Sequence, residues 1–167
     1  IGFKYQLTNG PIVVAPYFKA KLPTGYDESA VPAVGMGDID FEGRLLVSSS
    51  FYPVPVYVGA EIGMRIRSGR FSNQVPYVLE IGATPSPKLF VKVVLDGVNT
   101  LIGSGGNTGA MNSMSMQVSE GDFTKVGLNA AFKVAGNLWV DLTYDTIFRG
   151  KNVGAGRAVG VGLSISY

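Results

Sequence analysis

The side chains of this chain that could do chemistry are charged residues set among apolar neighbours at intervals of two: Lys19, Lys21, Asp40, Glu42, Arg44, Glu61, Arg65, Arg67, Glu80, Lys92, Asp96, Lys125, Lys133, Asp141 and Asp145. Asp141 and Asp145 are the most suggestive carboxylate pair. A hydrolytic triad needs an imidazole, however, and the chain has no His and no Cys. That absence also removes thiol nucleophiles, disulfides and the usual zinc ligand sets. Two acids on one strand suit an ion-pair ladder better than a proton shuttle, so no enzyme activity is expected.

Two other motifs invite a chemical reading. Met111, Met114 and Met116 (MNSMSM) offer thioethers, which favour soft Cu(I). Without His or Cys they make a poor site, and adaptable packing at a surface accounts for them more simply. Gly103 to Gly109 (GSGGNTG) lacks the GK[ST] ending and the strand-to-helix setting of a phosphate-binding loop, and reads as an outer loop. No metal and no cofactor are expected.

Composition narrows the setting for the charges. Of 167 residues, 16% are charged, 11% are aromatic and 23 are Gly, and the mean hydropathy is positive. An ordinary soluble domain carries about 25% charge. The length fits one domain over residues 1–167, with little room for a separate catalytic module. No stretch approaches the ~20 apolar residues of a transmembrane helix. A net charge of +2 with scattered Lys and Arg marks no nucleic-acid surface. Ile1 is neither an initiator Met nor the start of a signal peptide, so the sequence is expected to begin inside a longer precursor.

The elements that must position the charges are strands. Apolar and polar or small residues alternate with period two in about nine segments, separated by Gly, Pro, Asn and Asp clusters. In one, Val56, Val58, Ala60, Ile62, Met64 and Ile66 oppose Tyr57, Glu61, Arg65 and Arg67. Leu89, Val91, Val93 and Leu95 oppose Lys88, Lys92 and Asp96, and Leu138, Val140, Leu142 and Tyr144 oppose Trp139, Asp141, Thr143 and Asp145. Similar splits run through Pro11 to Leu22, where Pro16 predicts a bulge or an irregular edge, and through Ile39 to Ser48 and Lys125 to Val134. Ile1 to Thr8 and Tyr77 to Ala83 are shorter.

Connections alternate in length. Short links fall at Asn9-Gly10, Phe51 to Pro55, Pro85 to Pro87 and Ala135 to Asn137; long ones fall at Pro23 to Asp38, Gly69 to Pro76, Gly97 to Gly121 and Arg149 to Gly156. That asymmetry, with segments of about 9–11 residues, predicts an all-β, antiparallel, up-and-down transmembrane β-barrel with tight turns at one end. Aromatics would form two belts, with Phe51, Tyr52 and Tyr167 at the short-turn end and Phe41, Tyr77, Phe123, Tyr144 and Phe148 toward the other.

The last segment carries a resemblance. Val159, Val161, Leu163, Ile165 and Tyr167 alternate with small or polar residues and resemble the terminal β-signal of bacterial outer-membrane proteins. The resemblance implies a bacterial outer-membrane location, a lipid bilayer around the barrel and recognition by the barrel-assembly machinery. Other envelope proteins or further copies of the chain are candidate partners; nucleic acid is not. Gly35 to Phe41 (GMGDIDF) is similar to the GxGD element of the phenol-degradation transporter-like barrel family over that motif alone.

The charges would face the lumen, either pairing to fill a narrow barrel or lining water in a wider one. The function expected is passive diffusion of small hydrophilic solutes, as in a porin. One alternative is a filled structural barrel acting as an anchor or subunit of an envelope complex. Another is a soluble ligand-binding β-barrel with its apolar face inward. Nine strands is an odd number, whereas bacterial single-chain barrels have even ones, so a whole barrel of ten to about twelve strands with at least one more upstream is expected. An intact mass of the mature protein well above 17.6 kDa is the expected result, and a match to that figure would remove the expectation.

Overall fold

Period-two alternation does produce strands. The computed structural model describes residues 1–23, 39–68, 71–101 and 121–165. Among them are no helices and nine strands: β1 (Gly2–Lys4), β2 (Ile12–Lys21), β3 (Asp40–Ser50), β4 (Val56–Arg67), β5 (Gln74–Ser86), β6 (Leu89–Thr100), β7 (Asp122–Ala135), β8 (Leu138–Lys151) and β9 (Arg157–Ile165). They form one antiparallel up-and-down sheet in which each strand pairs with its neighbours in sequence. Among the described residues the sheet is open: β1 is bonded to β2 alone and β9 to β8 alone.

The expected alternation of links holds only in part: β2–β3 and β6–β7 are joined by residues 22–39 and 101–121, but β4–β5 and β8–β9, expected to be long, are joined by 68–73 and 152–156 only, because the flanking strands run further than the alternation indicated. Tight links join β3 to β4, β5 to β6 and β7 to β8, the last with Gly136 at φ 51°, a left-handed conformation that glycine adopts without penalty. The β1–β2 hairpin continues past its formal strand. Tyr5 and Leu7 donate backbone hydrogen bonds to Pro16 and Val14, and Thr8 ties off the turn through its hydroxyl to Ile12 and from Val14.

Three prolines lie inside strands, Pro16, Pro76 and Pro85, the last at the end of β5 where the register to β6 shifts between Ala83 and Ser86. β2 pairs with β3 in unbroken register from Ile12 to Lys21, so the bulge expected at Pro16 is absent. Pro16 accepts from Tyr5 on the β1 side, and the N–H it lacks would have pointed the same way. The cost falls on β1, whose ladder ends at Lys4. Pro76 does the same within β5: the ladder to β6 runs through it, while the ladder to β4 skips from Ile62–Tyr77 to Arg65–Gln74. The β5 and β6 strands accordingly extend beyond the expected Tyr77 to Ala83 and Lys88 to Asp96, through a proline and through Gly97.

Gly97 is there for a close approach. Tyr77 of β5 lies across β6 over Gly97, and its hydroxyl is 2.6 Å from that of Thr124 on β7. A Cβ on Gly97 would collide with the tyrosine ring. The contact links three strands on the apolar face at the end nearest the long links.

Candidate functional site

Unbroken pairing sorts the side chains into two surfaces. Lys19 and Lys21 of β2 lie opposite Glu42 and Asp40 of β3, which lie opposite Arg65 and Arg67 of β4. Arg44 and Glu61 share that face, as do Glu80 of β5, Lys92 and Asp96 of β6, Lys125 and Lys133 of β7, and Asp141 and Asp145 of β8. Every charged residue singled out in the sequence therefore stands on one side of the sheet. Ile62, Leu79, Leu128 and the β9 residues Val159, Val161, Leu163 and Ile165 stand on the other.

Burial runs opposite to that of a soluble sheet. Glu42 is 2% exposed and Arg67 8%, while Ile62 is 61% and Val161 74% exposed. Every strand from β2 to β9 contributes exposed large hydrophobics to the apolar face. Among the described residues the buried apolar ones other than glycine are Ala15, Phe71, Pro76, Val98 and Ala131, and the four in strands belong to the charged face. Among the described residues no second layer covers this face, and one cavity bordered by six strands makes it the concave one. That cavity, of about 320 Å³ at the long-link end, is bounded by residues of β2 through β7 and by Val153 of the β8–β9 link.

The ion pairs are densest on β2–β4. The Glu42 carboxylate receives Arg65 Nε at 2.6 Å and Arg44 Nε at 2.7 Å, with Lys19 Nζ at 3.5 Å. Arg44 also reaches Glu61 at 3.1 Å, and Arg65 donates to Gln74 at 2.9 Å, which donates in turn to Thr100 at 3.3 Å. One row nearer the long links, Asp40 lies 3.5 Å from Lys21 and 3.7 Å from Arg67. Charges on β5–β8 are sparser. Lys92 pairs with Glu80 at 3.6 Å, and Lys125 bridges Asp96 at 3.7 Å and Asp145 at 3.6 Å. Asp141 accepts from the Ser164 hydroxyl at 2.8 Å, and Lys133 stands 5.8 Å from the ring centre of Trp139.

Several contributors escaped the sequence reading. Phe71, in a stretch read as loop, is 2% exposed, and the Arg67 guanidinium lies 4.5 Å above its ring. A lone aromatic in a polar link was the signal available. Tyr57 stacks parallel to Phe90 with ring centres 6.4 Å apart on the charged face, and Gly82 leaves space beneath Tyr57. Phe123, expected in an aromatic belt, instead pairs with Val98 on the charged face and borders the cavity, because its parity matches Lys125. Met111, Met114, Met116, Tyr167 and the GSGGNTG stretch lie outside the described residues, as does the GMGD part of GMGDIDF.

No protein-family model, no curated protein and no solved structure matches this chain. The site's reading therefore rests on its own geometry.

Glu42 is the element on which that geometry turns, since three cations converge on a side chain 1% exposed. Removing one partner of a buried pair is far costlier than removing an exposed one. Glu42→Gln is expected to lower stability by ~3 kcal/mol, whereas Glu61→Gln, whose side chain is 31% exposed, should cost less than ~1 kcal/mol. Urea unfolding of the refolded protein, followed through the fluorescence of the single Trp139, measures both; equal effects would show that Glu42 is not the anchor.

Proposed function

We infer that this sheet is the wall of an outer-membrane β-barrel whose charged face lines a passage for small hydrophilic solutes. One observation carries the reading: the face that is curved and shielded is the charged one, and the face left exposed is aliphatic. In water a contiguous apolar face of this extent would drive aggregation. In a bilayer it is the surface that lipid covers, and a strand such as Val56–Arg67, at about 3.4 Å per residue and tilted by ~40°, spans roughly the 25 Å apolar band of such barrels. A soluble ligand-binding barrel would need its aliphatic face enclosed, the reverse of the burial seen.

Closure is part of the proposal. A strand edge in hydrocarbon leaves backbone groups unsatisfied, so β1 and β9 must find partners. The two run parallel because they lie an even number of strands apart, and an all-antiparallel closure takes an odd number of additional strands between them.

The lumen divides into unlike halves. β2–β4 are cross-linked by Arg, Lys and acid side chains, while β7–β9 present Gly127, Ala131, Ala158, Gly160 and Gly162 on the same face. Small residues on one wall leave width for water, which favours passage. The alternative, a filled scaffold serving an envelope complex, draws its support from the Glu42 network and from Phe71 packed against Arg67.

Single-channel conductance of the full-length protein refolded into a planar bilayer distinguishes them, with heat-modifiable gel mobility reporting folding. Discrete current steps whose ion preference moves toward cations in Arg65→Glu are expected. Silence from a folded barrel would favour the filled scaffold, and failure to insert would return the soluble reading.

A further inference from the structure

The cavity at the long-link end has a chemistry more particular than a general passage. On one side stand Lys19, Lys21, Arg65 and Arg67, facing two carboxylates, Asp40 and Glu42. Glu42 offsets part of the charge of Lys19 and Arg65 but does not itself line the cavity. Its side chain is 1% exposed and its oxygens are already engaged by Arg44, Arg65 and Lys19. The two lysine side chains are 39% and 42% exposed, and each ammonium has three donors of which the acid contacts occupy a part. Arg65 uses Nε on Glu42 and Nη1 on Gln74; its Nη2 takes no hydrogen bond among the described residues. Among the described residues, donors on Lys19, Lys21 and Arg65 therefore remain beyond those that the two carboxylates and Gln74 engage.

The opposite side is apolar. Val98 and Phe123, paired across β6 and β7, and Val153 complete the boundary. At about 320 Å³ the space is at the small end of ligand pockets, which run from ~300 to ~1,000 Å³. A charged rim opposite an aliphatic and aromatic wall suits a molecule with an anionic head and a short apolar body. A hydrated inorganic anion would satisfy only the first. A lipid headgroup would approach from the apolar face, which is the other side of the sheet.

We propose that this cavity binds small organic carboxylates, with the carboxylate at Lys19, Lys21 and Arg65 and the apolar body against Val98, Phe123 and Val153. It deepens the passage reading and rests on the charged face being the enclosed one. It would give the barrel a preference among solutes that the mixed lumen charge alone does not supply.

Isothermal titration of the full-length protein in detergent tests it, with benzoate as the probe, benzyl alcohol as its uncharged isostere and acetate as a head without a body. Benzoate should bind at least ten-fold more tightly than either. Lys19→Gln with Lys21→Gln should weaken benzoate at least ten-fold and leave the gel-shift signature of folding intact. Val153→Trp, which fills the cavity and retains every charge, should abolish binding. Equal affinity for benzoate and benzyl alcohol, or benzoate binding untouched by both variants, would overturn the site. Binding without conductance would support the site and remove the passage reading; conductance without binding would remove the site and leave the passage.

Discussion

Successive side chains of a strand point to opposite faces, so a sheet in continuous register divides its residues between two surroundings, and a slip of one residue in any strand would drive charges into the aliphatic face. Everything else in this protein depends on that register being held. The charged face holds it with directly opposed pairs, Lys19–Glu42–Arg65 and Lys21–Asp40–Arg67 across β2, β3 and β4, and Asp96–Lys125 across β6 and β7. The apolar face adds the Tyr77 contact over Gly97 to Thr124. A shifted register would leave buried acids facing no cation, a cost of several kcal/mol per site.

The same constraint explains how the sheet does without a conventional core. Backbone groups are satisfied between strands, and the ion pairs on the curved face meet the charges that curvature shields from water. Among the described residues the aliphatic face has no cover and β1 and β9 have one partner each, and in the proposed barrel a bilayer and additional strands would supply both. The network also makes the two halves of the charged face unlike, so that a cavity bordered by Lys19, Lys21, Arg65 and Arg67 forms beside β2–β4 and small residues line β7–β9.

Much of this was legible in the residues themselves. Alternation in Val56 to Arg67 and in Leu138 to Phe148 named the strands, and parity alone collected the charged side chains onto one face. Parity is robust because it needs no knowledge of partners. What was hidden depended on the third dimension or on backbone detail. Pro16 suggested a bulge or an irregular edge and Pro76 was placed at the end of a link, yet each lacks its N–H on only one side and spares the other ladder. Phe71 looked like loop, and only the fold of the link brings it under Arg67. Phe123 was assigned to an aromatic belt from its position near a strand end, whereas its parity with Lys125 turns it toward the cavity.

The central claim is that the aliphatic face meets lipid and the charged face meets water. Because the chain has no native Cys, nitroxide labels can be placed one at a time along β4 and β8 of the full-length protein in liposomes. The power-saturation accessibility to oxygen and to a water-soluble nickel complex should alternate with period two. Labels at Val58, Ile62, Val140 and Leu142 should favour oxygen, and those at Glu61, Asp141 and Thr143 should favour nickel. Nickel accessibility at Val58, Ile62 and Leu142, or no alternation at all, would contradict the account.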